Sequence, residues 1–276
     1  MSQEIPILEK TLGELLPDTL TFSLCIHIDK GEKVWVVAGM LAQYLESVTD
    51  SVIVREHEKP IGLIGGKNIL ENLLKNPTQS LFYDCKVEDI MGPVPVIVSK
   101  NTKFKELMSY WKENRLAYAV IPNEWGFYSA ISAQKILEIG MRCKTNISIQ
   151  DLPKKQPITF KKGDTFGSVI NSMFENKTRK ILLEHSNKYI SDRLIIDTIS
   201  EKMECLKKTD DFLNESIDID TLEKARIIPQ DLKINELSAM MYDMEHPYVI
   251  YKDWIVTSWD ICNILMSPEI TEYKVK

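Results

Sequence analysis

The chain has no apolar run that approaches the roughly 18 residues a membrane span requires. Residues 1–10 carry acidic side chains and no long apolar core, so neither a spanning helix nor a secretory leader is expected and the cytoplasm is the expected location. Paired cysteines are missing too. Cys25, Cys85, Cys143, Cys205 and Cys262 are odd in number, widely spread and without a C-x-x-C, which fits reduced buried thiols better than disulfides or zinc ligands. His27, His57, His185 and His246 show no metal-ligand spacing, so no metal is expected. Positive charge is in deficit: 34 Lys and Arg against 40 Asp and Glu leave a net charge of −6, which argues against a surface that embraces nucleic acid. Lys154-Lys155, Lys161-Lys162 and Lys207-Lys208 form small basic pairs, and such pairs are usually solvated surface. P-loop, nucleophile elbow and H-E-x-x-H motifs are all absent, so no enzyme is expected and no cofactor is required.

What is present is a repeat. In residues 254–261, Trp-Ile-Val-Thr-Ser-Trp-Asp-Ile, an apolar strand is expected to run into a helix. Thr257 falls at the N-cap and Asp260 in the first helical turn. The same T-x-x-D spacing serves as a plain capping box, but it also places a hydroxyl and a carboxylate at the border of one cleft, where the carboxylate can accept from both vicinal hydroxyls of a sugar. Weaker copies occur at residues 61–69, 129–136 and 189–193; anchored on Gly65, Ser132, Ser191 and Thr257, they are spaced by 67, 59 and 66 residues. Each copy follows an amphipathic helix with helical apolar spacing: Val37, Met40, Leu41 and Tyr44; Phe104, Leu107, Met108 and Trp111; Phe166, Val169, Ile170 and Met173; Ile234, Leu237, Met240 and Met241. A short apolar strand comes after each helix, at 51–54, 117–121, 180–183 and 248–251. The unit is therefore strand, helix, strand, strand, helix, an α/β (α+β) arrangement, and one such unit cannot bury both faces of its small sheet.

This order, with the turn at 254–261 and with Val87-Glu88-Asp89-Ile90-Met91 before the second unit, resembles the cystathionine-β-synthase (CBS) domain family over nearly the whole chain. The resemblance implies four β-α-β-β-α CBS units in two paired modules, 8–142 (units 8–78 and 84–142) and 146–268 (units 146–206 and 216–268), which could form a flat pseudo-symmetric disc within one chain or by homodimerisation. Residues 269–276 are expected to be a loose tail. The polar break at 142–146 follows a helix expected at 134–140, with Gly140 suited to its C-terminus.

The family resemblance further implies an adenosine-containing ligand, AMP, ADP, ATP or S-adenosylmethionine, in the second module, with regulation of an unknown target protein as the outcome. Only the fourth turn keeps both polar residues, so Thr257 and Asp260 are the expected ribose contacts. Adenine would lie near Ile227, Ile228, Tyr248 and Ile255. Arg179, just before a central strand, is the expected phosphate contact, and a planar guanidinium suits that role. Asn68 and Arg115 mark a possible weak second site. Trp254 stands where the family has a small glycine, and it could either stack on the base or fill the cleft. The contrasting expectation is a ligand-free CBS scaffold that binds a partner protein or, less readily, nucleic acid.

Overall fold

The computed structural model describes residues 5–17, 25–43, 50–123, 127–201, 206 and 211–273. Tyr44, Cys205, Lys207 and Lys208, and residues 274–276 of the expected tail, lie outside them. Four times the chain runs through strand, helix, strand, strand and helix. Repeat one comprises His27–Asp29, Val34–Gln43, Val52–Glu56, Lys59–Ile64 and Gly66–Lys75; repeat two Val96–Ile97, Phe104–Asn114, Tyr118–Pro122, Tyr128–Ser132 and Ala133–Arg142. Repeat three comprises Thr159–Phe160, Phe166–Glu175, Lys180–Leu183, Lys188–Ser191 and Asp192–Glu201; repeat four Arg226–Ile228, Ile234–Tyr242, Tyr248–Tyr251, Trp254–Thr257 and Ser258–Ile264. Each second helix begins one residue beyond its anchor, at Gly66, Ala133, Asp192 and Ser258. In repeats one to three the first strand is parallel to the second, and the last two strands form an antiparallel hairpin in every repeat. Glu223–Lys224 adds a fourth strand to the sheet of repeat three.

The first helix of each repeat forms where its apolar spacing predicts, because that spacing puts one stripe against the core. Val37 and Leu41, Phe104 through Trp111 at their expected positions, Phe166, Val169, Ile170 and Met173, and Ile234, Leu237 and Met241 are all buried. Each large apolar side chain so placed contributes roughly 1.5–3 kcal/mol. The helix starts are closed by side chains: Thr165 Oγ1 accepts from Ser168 N at 3.2 Å, while Glu106 and Glu236 accept from the backbone N–H of Lys103 and Lys233 at 3.0 and 3.1 Å. Cys25, Cys85, Cys143 and Cys262 are free thiols, and burial pushes the Cys143 thiol up to about 12. No described helix is long and apolar enough to cross a membrane.

The structure divides into two compact units that cut across the expected ranges 8–142 and 146–268. The first unit holds Met1–Cys25, Pro95–Lys155 and Ile227–Lys276; the second holds Ile26–Val94 and Gln156–Arg226. Repeat two thus shares a core with repeat four, and repeat one with repeat three. The physical reason lies in the second helices. Ala133–Arg142 packs on Ile234–Tyr242 and Ser258–Ile264, and Asp192–Glu201 packs on Val34–Gln43 and Gly66–Lys75. Gly140 is therefore not a helix terminus: it lies inside Ala133–Arg142, where a Cβ would stand 2.2 Å from Ser238 Oγ and 2.8 Å from Ser238 Cβ. Its missing side chain lets the two helices approach.

The segments that lead into each repeat are also distributed between the units. Ile7–Glu9, ahead of repeat one, lies against Phe104–Asn114 of repeat two, with Phe104 N–H donating to Lys10 O at 3.0 Å. Val87–Ile90, ahead of repeat two, packs on Lys59–Ile64 and Gly66–Lys75 of repeat one. Ile149, ahead of repeat three, donates its N–H to Leu232 O at 2.9 Å, and Asp211–Asn214, ahead of repeat four, packs on Phe166–Glu175.

A matched pair of glycine substitutions tests the helix contact. Gly140→Ala overpacks the contact with Ser238 and is expected to lower stability by about 1–3 kcal/mol in urea denaturation. Gly39→Ala, in a helix interior with nothing within 4 Å of the added Cβ, is expected to raise it by about 0.5–1 kcal/mol. Equal effects at the two positions would refute the close helix approach.

Candidate ligand-binding turns

In repeat four the strand Trp254–Thr257 delivers an extended Thr257, φ −126° and ψ 168°, directly into the helix Ser258–Ile264. Asp260, in the first turn of that helix, reaches back. Its Oδ2 accepts from Thr257 N at 2.8 Å and from Thr257 Oγ1 at 2.8 Å. Its Oδ1 meets Lys155 Nζ at 2.5 Å. The Asp260 side chain is 3% exposed and that of Lys155 43%, so a nearly buried anion is joined to a half-exposed cation. Lys155 is fixed at the strand edge because its backbone forms an antiparallel bridge to Ile255, whose N–H donates to Lys155 O at 3.0 Å. The Cys262 thiol, fully enclosed, is pushed well above its ordinary range by burial and secondarily by the Asp260 charge.

Strand alternation settles the direction of Trp254. Trp254 and Val256 lie in the apolar core with Val249 and Tyr251, while Ile255 and Thr257 occupy the opposite face. The indole packs edge-on against Tyr251 at 5.1 Å and 80°, with Lys154 Nζ 5.1 Å from its ring centroid. It neither stacks nor stands on the Thr257 face. Tyr248 pairs in register with Thr257 and is buried, which holds its phenol above the usual range. Ile250 pairs with Ile255 beside it. Ile227 and Ile228 diverge: Ile228 is part of the core, whereas Ile227 is 57% exposed.

The other turns use the same position differently. In repeat one Gly65 N–H donates to Asn68 Oδ1 at 3.0 Å, an amide version of the Thr257–Asp260 cap without charge. In repeat two Lys135 stands at that position and lies over the Tyr242 ring at 5.9 Å. Repeat three caps itself the other way round, with Leu194 N–H donating to Ser191 Oγ at 3.1 Å.

Arg179 lies in the second compact unit and Thr257 and Asp260 in the first, so no single unit brings them together. Two carboxylates of its own unit hold it: Arg179 Nε donates to Asp192 Oδ2 at 2.7 Å, and Nη1 pairs with Asp50. Asp192 is 3% exposed, and its Oδ2 would stand 2.3 Å from a Cβ at Gly66, so Gly66 makes room for this ion pair. Arg115 shares the first unit with Asp260; it is exposed and left-handed, φ 52°, at the end of Phe104–Asn114. Sequence reasoning missed Asp50 and Asp192 and read Lys155 as solvated surface. The signal for Lys155 is a long-range bridge that adjacent residues do not reveal. Among the described residues no cluster of His, Cys, Asp and Glu could hold a metal ion.

These repeats and their turns define the CBS-domain fold, four units in one chain. A protein of Methanocaldococcus jannaschii described as a proposed archaeal homolog of γ-AMPK matches at a TM-score of 0.73 and 13% identity, covering 90% of this chain and 99% of its own. A CBS-domain containing protein of Agrobacterium tumefaciens matches 48% of this chain and 93% of its own at a TM-score of 0.39 and 14% identity. The CBS domain of a bacterial CNNM/CorC family Mg2+ transporter, solved in complex with ATP, matches 48% of this chain and 87% of its own at 0.36 and 17%. No family model matches the chain, and no curated protein matches it in sequence.

The Arg179 cluster generates a stability prediction. Arg179→Met leaves the enclosed Asp192 carboxylate without its guanidinium and is expected to cost about 1–2 kcal/mol, moderated by the partial exposure of Arg179. Arg179→Met/Asp192→Asn is expected to recover part of that loss in urea denaturation, and equal losses would show that Asp192 does not depend on the arginine.

Proposed function

We propose that this chain is a regulatory or signalling protein without catalysis of its own, and that it binds an adenosine-containing ligand, AMP, ADP, ATP or S-adenosylmethionine, on the Thr257 face of repeat four. The observation that carries this reading is the Asp260 carboxylate: a nearly buried anion just after a strand, beside Tyr248 and Ile255, in the one turn of the four that has a hydroxyl and a carboxylate three positions apart. Ribose hydroxyls would donate to Asp260, and adenine would lie against Ile255, Tyr248 and the exposed Ile227. Arg115, of the same unit, is available for phosphate, whereas Arg179 is engaged by Asp50 and Asp192. The proteins of similar fold that are described as a γ-AMPK homolog and as an ATP complex agree in kind with such a ligand. Binding would regulate a partner protein by favouring one arrangement of the chain over another.

A second reading, a ligand-free scaffold for a partner protein or nucleic acid, is favoured by the pairing of Asp260 with Thr257 and Lys155, which supply its contacts from within the chain.

Isothermal titration with AMP, ADP, ATP and S-adenosylmethionine separates the two. Saturable binding of at least one ligand is expected, weakened about tenfold or more by Asp260→Asn, which keeps a capping acceptor as Asn68 does and removes the charge. No binding by any of the four supports the scaffold. Equal binding by wild type and Asp260→Asn removes the carboxylate from the site.

A further inference from the structure

We infer that Lys155 is the specificity-determining residue of the Asp260 site: by occupying the carboxylate, it selects adenosine ligands of net negative charge, nucleotides in preference to adenosine or S-adenosylmethionine. The inference rests on the ligand reading given above and deepens it.

Lys155 Nζ stands 2.5 Å from Asp260 Oδ1, on a carboxylate whose other oxygen already accepts two hydrogen bonds from Thr257. A ribose diol that approaches this carboxylate competes with the ammonium for Oδ1. The two partners differ in what they lose on separation. The Lys155 side chain is 43% exposed and passes readily into solvent, but the Asp260 side chain is 3% exposed and loses its ionic partner in a place where water does not replace it. A neutral nucleoside therefore exchanges one charge-assisted contact for neutral hydrogen bonds and gains little.

A ligand with a phosphate changes the balance. The lysine backbone is held at the strand edge by its bridge to Ile255, so its flexible side chain moves only within reach of the same face. An ammonium displaced from Asp260 then has a second anion to meet, and the ligand replaces the ion pair that it breaks. S-adenosylmethionine carries a carboxylate, but its sulfonium and α-ammonium leave it net positive, so it meets like-charge repulsion from that ammonium. Lys154, the adjacent lysine, is directed elsewhere, over the Trp254 ring, so the effect is assigned to Lys155.

The full-length protein and Lys155→Met are titrated calorimetrically with adenosine, AMP, ADP and S-adenosylmethionine. Lys155→Met keeps the backbone bridge and most of the aliphatic stem, and its folding is checked by circular dichroism. Wild type is expected to prefer AMP over adenosine by about tenfold or more, and the variant is expected to narrow that ratio to about threefold or less, with adenosine binding strengthened. Binding with an unchanged AMP-to-adenosine ratio in the variant overturns the role of Lys155 and leaves the site itself standing. S-adenosylmethionine binding to wild type as tightly as AMP overturns it as well. Failure of all four ligands to bind either protein overturns the site and this inference together.

Discussion

In each repeat the helix that follows the turn has an apolar face that its own small sheet leaves uncovered, and the rest of the architecture follows from where that face is buried. Ala133–Arg142 buries Ile136, Leu137 and Ile139 in the core it shares with repeat four; Asp192–Glu201 buries Ile195, Ile196 and Ile199 in the core it shares with repeat one. Close packing at these helices needs small residues at the crossings. Gly140 against Ser238 and Gly66 against Asp192 supply them, and a side chain at either glycine would force a shift in its neighbour. Because each helix sits directly after its turn, the same packing that forms the cores also sets the turns in place.

Both compact units solve one electrostatic problem in different ways. A carboxylate placed at the start of a second helix is nearly enclosed, and an enclosed carboxylate is costly without a cation. Repeat three puts its carboxylate at the first helical residue, Asp192, and satisfies it with Arg179; repeat four puts it in the first turn, at Asp260, and satisfies it with Lys155. The choice of cation matters. The guanidinium holds two carboxylates in a fixed geometry, which makes the repeat-three turn a structural brace. The ammonium makes one contact at the end of a flexible stem, and its departure leaves an acceptor on offer.

The repeat order, the helix stripes and the strand positions were legible because period and burial are local properties: Phe104, Leu107, Met108 and Trp111 lie on one stripe in any setting that gives the helix a core. The turns were legible for the same reason, since the spacing of 257 and 260 is that of an N-cap and its first-turn partner. The grouping of repeats was not legible, because it depends on which helices cross, and Gly140 reads as a helix end until Ser238 is known to face it. Within the candidate site, Thr257, Ile255 and Tyr248 fell on one face through strand alternation. Arg179 was read as a cation facing a ligand since Asp50 is distant in sequence and Asp192 meets it only once the hairpin between them folds, and Lys155 was overlooked since its bridge to Ile255 spans a hundred residues of chain.

The composition of the two compact units bears on how this protein can be divided. Neither unit is one continuous stretch of the sequence: the chain passes from one to the other after Cys25, Val94, Lys155 and Arg226. A split at the midpoint therefore divides both cores at once, and neither half carries all the residues of either. Such interleaving links the two units through the covalent chain at four points. One of those four crossings falls immediately after Lys155, so the cation that guards Asp260 is also the last residue of its unit before the chain departs.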